Sequence, residues 1–510
     1  MTDITQNNKR IAKNTLLLYL RMFFIMAVTL FTSRVVLKTL GVVDFGIYNV
    51  VGGVVAMMGI LNGAMSVSTQ RYLTFELGKN DILKLRQVFS MCLTIFALLS
   101  LVILVLAETI GLWFLNTRMV IPDDRIVAAN WVYQFSILSC IFSLLTNPYN
   151  ATIIARERMN VYAYVGVLEV MLKFGVVYLL LIIPVDRLEM YGCLILLSQV
   201  IVSFSYIIYC VKHFPESRYY FYWDKSLFKE LISYSGWNLF GSISGLVKSQ
   251  GLNILLNLFF NPTVNAARGI AYQVNAAISQ FFTNFYTAVR PQITKYYAQK
   301  DLENMFILVF RSSKMSYFLI LLISLPIIIE TPFIIDLWLG QLPDYVVSFV
   351  RLIVIITAVD AMASPLMTTA HATGKIAFYQ FSVGSVTMLN IPISYFLLYT
   401  GGEPTIVFIV SLCLSVFNLF LRLWIVKRLV DFPVVRYIKD VIMISFIVTV
   451  VALLIPLICY LYLDDNVLNS IIICFLAVFS VLFSAYFIGL NHLEKNVLNE
   501  LVKKKLLKKL

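Results

Sequence analysis

NPTVNAARGIAYQVNAAISQFFTNFYTAVRP, residues 261–291, reads as one long helix with a polar edge. Asn265, Arg268, Tyr272, Asn275, Ser279, Thr283, Tyr286 and Arg290 follow one another at steps of 3, 4, 3, 4, 4, 3 and 4. The mean step is about 3.6 residues, the α-helical repeat, so these side chains share one face. At 1.5 Å per residue the strip is roughly 37 Å long, enough to cross a hydrocarbon layer of about 30 Å. Polar groups turned to lipid would go unsatisfied, so the strip must face protein or water.

The rest of the chain supports a membrane setting. Of 510 residues 60% are apolar and 13% charged, and the mean hydropathy is +0.86. Soluble domains carry about 25% charged residues, and no polar stretch here is long enough to form a separate soluble domain. The +13 net charge is spread over short clusters, which suits cytoplasmic loops and argues against a nucleic-acid face. The seven cysteines lie in apolar runs without a CxxC pair, and three scattered histidines suggest no metal cluster. No cofactor is implied. The basic start MTDITQNNKRIAKN leads into an apolar span without a small-residue cleavage site, so it reads as a retained first helix.

Breaks at charged and Pro/Gly-rich points predict fourteen spans: 14–38, 43–69, 88–115, 126–150, 160–183, 189–211, 231–259, 264–289, 306–333, 346–370, 376–399, 404–426, 438–462 and 466–489. The fold class expected is therefore an all-α polytopic membrane protein. With the N-terminus inside, twenty-nine of the forty Lys/Arg fall on the cytoplasmic side and five (Arg34, Lys38, Arg118, Arg125, Arg187) on the outer side. That asymmetry follows the positive-inside rule and puts both termini in the cytoplasm. Arg21, Lys173, Lys248, Arg268, Arg351 and Arg422 remain inside spans. The closing EKNVLNELVKKKLLKKL reads either as an amphipathic helix on the inner leaflet or as a solvated tail.

Two matches reveal an internal repeat. STQRYLTFELGKND (68–81) aligns with AVRPQITKYYAQKD (288–301) at a shift of 220, and NPYNATIIARERMNVY (147–162) with SPLMTTAHATGKIAFY (364–379) at a shift of 217. Both connect equivalent inner ends six helices apart, predicting two parallel six-helix lobes about an axis along the membrane normal. Such lobes usually enclose a central cavity. The expected parts are an N-lobe (1–211), a cytoplasmic linker (212–230), a C-lobe (231–430), two extra helices (431–493) and the basic tail (494–510).

A lysine at the bilayer centre costs about 2.5–3.5 kcal/mol on insertion scales, so Lys248 needs an explanation. Asn238, Gly241, Gly245, Lys248 and Ser249 share a face of helix 7, a small, polar seam. The shift of 220 sets Tyr48, Gly52, Gly59, Gly63, Ser66 and Gln70 of helix 2 against the helix 8 strip, as a small and mildly polar face. Each face reads either as close helix packing or as the lining of an internal space shared with Arg21 and Arg34. On helix 5, Glu169 and Lys173 form an i,i+4 pair, structural or ligand-binding. If the basic residues share one cavity, it attracts anions, and guanidinium and ammonium groups suit phosphate oxygens. Asp44, Glu169 and Asp360 are the intramembrane acids available for ion coupling.

The run 250–301 and the opening TLFTSRVVLKTLGVVDFGIYNVVGG (29–53) resemble Wzx-type O-antigen and capsule-repeat flippases. These belong to the multidrug/oligosaccharidyl-lipid/polysaccharide exporter superfamily. The resemblance covers essentially the whole chain and implies a flippase of the bacterial inner membrane, moving undecaprenyl-pyrophosphate-linked oligosaccharide to the outer leaflet by alternating access. It implies a lipid-bilayer setting and polysaccharide polymerase or export machinery as partners. It also implies that Arg21, Lys248 and Arg268, with Arg34 and Arg290 behind them, meet pyrophosphate and sugar, with Tyr272 and Asn275 beside them. Helices 13 and 14 would form a groove for the lipid tail. No GxxxxGK[ST] motif is present, so an ion gradient, membrane potential or product consumption would supply energy. The competing readings are a multidrug antiporter of the same superfamily and a membrane glycan polymerase or ligase. The short outer loops, without histidine, give the second little to work with.

Overall fold

The computed structural model describes residues 2–495 other than 58, 120, 183–184, 261, 341, 465 and 492–493. For residues 2–9, 12, 30, 33, 34, 37, 42, 50, 53–57, 59 and 60 it describes the backbone alone, so the side chain of Arg34 lies outside the described residues. From residue 496 onward the basic tail does too.

The chain is an all-α polytopic membrane protein. Its long helices are α1 (Thr2–Met57), α2 (Gly59–Lys79), α3 (Ile82–Thr117), α4 (Asp123–Ala155), α5 (Met159–Ile182), α6 (Arg187–His213) and α7 (Lys225–Phe259). They continue with α8 (Pro262–Ala298), α9 (Leu302–Ile329), α10 (Val346–Ala372), α11 (Ala377–Tyr399), α12 (Ile406–Val430), α13 (Val434–Tyr462) and α14 (Val467–Gly489). Among the described residues, α3–α6 and α9–α14 are the ten helices long and apolar enough to cross a membrane. The four outside that set, α1, α2, α7 and α8, carry the polar and glycine-rich faces read from the sequence.

Several boundaries differ from expectation, each for a local reason. The first span and the first part of the second are joined in α1, the rest of the second lying in α2; the bend of α1 is at Gly41 (φ 79°, ψ 169°), a conformation that side-chain-bearing residues avoid. α7 starts six residues before the expected 231 because Asp224 caps it: its Oδ1 accepts from the N–H of Ser226 (2.7 Å) and Leu227 (3.1 Å). α11 breaks at Leu389, where Pro392 lacks an amide hydrogen and crowds the carbonyl of residue 388. After α9 the chain does not continue to 333 in one helix; it restarts as Thr331–Leu339.

The turns matched across the repeat share one geometry. Asn80 and Lys300 both adopt left-handed φ, 58° and 60°. Asp81 and Asp301 follow, each donating its backbone N–H five residues back, to Glu76 O (3.3 Å) and Tyr296 O (2.9 Å). Each carboxylate then caps the next helix, accepting from Lys84 N (2.9 Å) and Asn304 N (3.2 Å). At the second match Glu157 and Gly374 are both left-handed, φ 57° and 79°. Thr152 and Thr369 both donate their hydroxyls to the carbonyl of the helix proline four residues earlier, Pro148 (2.8 Å) and Pro365 (2.9 Å).

The chain forms two compact units: residues 13–239, and the described residues of 1–12 and 240–510. In the first, Ile47, Val51, Ala129, Val132, Tyr133 and Ile137 build a core where α1, α3, α4 and α6 meet. A π-helical turn at Ala107–Gly111 of α3 opens a carbonyl to which Tyr133 donates (OH to Ala107 O, 2.8 Å), and the missing Cβ of Gly111 leaves room for the phenol.

In the second unit Leu256, Ala267, Ala271, Phe349, Val354 and Phe408 join α7, α8, α10 and α12. Ile293, Val309, Leu366, Tyr379, Val426 and Tyr437 form another core that reaches α13. Helices α13 and α14 pack on α9 through Phe318, Leu325, Val448, Ala452 and Ala477, with Gly489 set against the Phe318 ring. Apolar transfer supplies little between helices already in lipid, so close contact and dispersion hold these layers.

Candidate functional site

Of the polar strip of α8, Arg268 and Tyr286 are buried, Asn265, Tyr272, Asn275, Ser279 and Arg290 are half-buried, and Thr283 is exposed. Arg268 is buried, 9% exposed. Its Nη2 donates to the Ser249 carbonyl of α7 (2.5 Å), and its guanidinium carbon stands 4.3 Å from the Tyr272 ring centre. Its Nε, also buried, has no hydrogen-bond partner. The strip thus presents a guanidinium held by neutral groups, with one donor left over.

Further along, Asn275 and Tyr286 bind α10. The Thr357 hydroxyl donates to Asn275 Oδ1, and Ser279 lies within 3.4 Å of the same oxygen. Tyr286 donates to Ser364 O (3.0 Å) and shares a hydrogen bond with the Thr368 hydroxyl. This part of the strip is a hydrogen-bonded seam between two helices, as the packing alternative requires. Arg290 is half-buried and acts electrostatically on Tyr286.

Lys248 is half-buried on α7, one residue from the Ser249 that holds Arg268. Among the described residues Lys248 makes no ion pair, and the acid of α10, Asp360, is engaged elsewhere. Asp360 Oδ1 accepts from the Ser415 hydroxyl of α12 at 2.6 Å. Arg422, not singled out in advance as a site residue, is half-buried, and its Nε has no hydrogen-bond partner among the described residues. The Tyr379 hydroxyl is buried without a partner.

On the same helix Gly241 and Gly384 of α11 mark close packing: a Cβ at 241 would meet the Gln380 amide, and one at 384 would stand 2.8 Å from the Phe240 ring. Gly245, by contrast, has open space around its Cβ direction. The α7 face is therefore a contact at 241 and open at 245.

In the first unit Arg21 of α1 lies against α5. Its guanidinium carbon is 4.3 Å from the Tyr162 ring centre, and the bare Cα of Gly166 makes room for it on the same helix. Its Nε is buried without a partner. Glu169 and Lys173 form the expected ion pair at 2.6 Å, both partly exposed.

Asp44 belongs to a different cluster. Arg125, at the start of α4, donates Nε to Asp44 Oδ1 (2.8 Å) and Nη2 to Asp44 Oδ2 (2.5 Å), and its Nη1 donates to Asp186 Oδ2 at 2.5 Å. Asp186 also caps α6 through the N–H of Leu188 and Glu189. Burial raises the Asp186 pKa, but the Arg125 hydrogen bond, the cap and the guanidinium charge together hold it below the usual carboxylate range. The sequence hid this clasp because its members are 61 and 81 residues apart.

The comparisons with known proteins bear on the fold. No family model and no curated protein matches the sequence. Solved structures do match the fold. A MATE protein in complex with MaD3S aligns with TM-score 0.69 at 13% identity, over 82% of this chain and 97% of its own. An outward-facing multidrug resistance MATE family transporter of the MOP superfamily aligns with TM-score 0.70 at 13% identity, over 82% and 96%. A MOP superfamily transporter from Pyrococcus furiosus Vc1 (DSM3638), described as having a binding pocket of reverse polarity that suggests a different function, aligns with TM-score 0.66 at 13% identity over the same shares. The chain has the fold of these transporters.

Proposed function

We propose that the chain is a flippase that carries undecaprenyl-pyrophosphate-linked oligosaccharide from the inner to the outer leaflet of a bacterial inner membrane by alternating access. The observation that carries the reading is the state of Arg268: a guanidinium buried on α8, bound to a carbonyl and a ring, with Nε unpartnered among the described residues. A phosphate oxygen would satisfy it, and a hydrogen bond to a charged group contributes about 1.5–3 kcal/mol. Lys248, adjacent to the Ser249 anchor, supplies a second cation without a contacting carboxylate. In this reading the pyrophosphate meets Lys248 and Arg268, and Tyr272 offers its ring to sugar. The polyprenyl chain stays in lipid, and both termini are cytoplasmic.

The likeness to a multidrug resistance transporter favours a second reading, a cation-coupled drug antiporter in which Asp360, held by Ser415, is the coupling acid. The polarity of the pocket separates the two, since cationic drugs would be repelled by Lys248 and Arg268. The test is glycan export by cells carrying Lys248→Ala or Arg268→Ala at normal protein levels. Export is lost in both variants if the flippase reading holds. Full export in both, or transport of organic cations by the purified protein, overturns it.

A further inference from the structure

The segment between α6 and α7 carries an aromatic run, RYYFYW at 218–223, that the transport reading leaves unused. From Tyr219 to Asp224 the backbone is outside any helix, and its side chains alternate. Tyr219, Phe221 and Trp223 are 48%, 74% and 48% exposed. Tyr220, Tyr222 and Asp224 are half-buried. Period-two alternation belongs to an extended chain with one face docked.

The docked face is fixed by contacts within the first unit. Arg86 of α3 lies 4.5 Å from the Tyr220 ring centre and donates Nε to the Arg218 carbonyl at 3.4 Å. Tyr220 N donates to Ser90 Oγ (3.5 Å), and Tyr219 and Thr94 share a hydrogen bond of 3.3 Å.

Charge is sorted the same way. Each acid has a partner: buried Glu216 is held by Arg156 at 2.5 Å, half-buried Asp224 caps α7, and exposed Glu230 accepts from the Tyr72 hydroxyl at 2.9 Å. Lys212, Arg218, Lys225 and Lys229 are exposed. The outward surface is thus aromatic, rimmed by cations.

Two requirements fix its depth. The N–H groups of Phe221, Tyr222 and Trp223 make no hydrogen bond within the described residues, so the segment cannot lie in hydrocarbon. Three exposed aromatic rings favour leaving bulk water, and Tyr and Trp settle at the headgroup boundary. We propose that residues 218–224 form an interfacial anchor that seats Tyr219, Phe221 and Trp223 at the headgroup–acyl boundary of the anionic inner leaflet. The cationic rim is complementary to that surface.

The test uses full-length protein in liposomes of phosphatidylcholine with phosphatidylglycerol, with some acyl chains brominated at defined depths. Tryptophan emission of Trp223→Phe is subtracted from that of the wild type to isolate residue 223. The isolated component should be quenched by shallow bromine and lose little to aqueous acrylamide. In the Trp223→Phe background, Phe221→Trp should restore that shallow component, and Tyr222→Trp, on the docked face, should not. The proposal is overturned if tryptophan at 221 and 223 is quenched by acrylamide and untouched by bromine at any depth. It is also overturned if positions 221 and 222 respond alike.

Discussion

Adding a single methyl group at Gly166 should dislodge Arg21. A Cβ built there would lie 2.9 Å from the guanidinium Cζ and Nη2, and closer still to Nε. Carbon contacts settle at about 3.5–4.0 Å, so Nε, the nearest atom, must retreat by roughly 1.3–1.8 Å. That slides the guanidinium off the Tyr162 ring, now 4.3 Å away. The lost cation–π contact is worth about 0.5–2 kcal/mol, and overpacking adds about 1–3 kcal/mol. Against this, replacing a helical glycine by alanine gains about 1 kcal/mol. Gly166→Ala should therefore destabilise by about 0.5–4 kcal/mol. Gly175→Ala on the same helix, where nothing lies within 4 Å of the added carbon, should be neutral or stabilising. Thermal unfolding of the purified full-length protein in detergent measures both. A cycle with Arg21→Ala isolates the contact: in that background Gly166→Ala should behave like Gly175→Ala. If Gly166→Ala costs the same with Arg21 present or absent, the packing argument is wrong.

Two further outcomes follow from ion pairs outside the proposed substrate site. Glu494→Gln strips the carboxylate from Lys314, which it meets at 3.0 Å with both groups buried, and from Arg311 at 3.5 Å. A buried cation left unpaired costs about 3–5 kcal/mol, so the melting temperature should fall by several degrees; an unchanged melt refutes the pairing. At the Arg125 clasp the folded pKa of Asp186 is depressed, so its contribution is present above the unfolded value of 3.8 and disappears as pH falls through the lower folded value. Asp186→Asn keeps a capping side chain but loses the charge. The gap in melting temperature between it and the wild type should be constant near neutrality and close below about pH 4. A gap that does not depend on pH would mean that the charge contributes nothing.

Much of this architecture is legible along the chain because membrane helices announce themselves by length and composition. Most expected spans fall on one helix, the second being shared between α1 and α2 and the ninth and eleventh broken near residues 330 and 389, and the Glu169–Lys173 pair follows from its spacing alone. The repeat was visible through Asp81 and Asp301, whose capping role needs only local sequence. What could not be read is direction. The eight-residue strip on α8 is periodic throughout, yet Arg268 turns to a carbonyl of α7, whereas Asn275 and Tyr286 turn to α10. Periodicity defines a face but not which neighbour meets it. Long-range partners were equally hidden: nothing near Asp44 in sequence points to Arg125.

The paired turns at 76–81 and 296–301 bear on how such a chain can drift. Each is specified by one left-handed residue and one capping carboxylate, so nearly every other position can change without altering the bend. Two halves descended from a single ancestral gene can then lose almost all shared letters and still keep the same corners. Common origin in proteins of this shape is better sought in matching turns than in percentage identity.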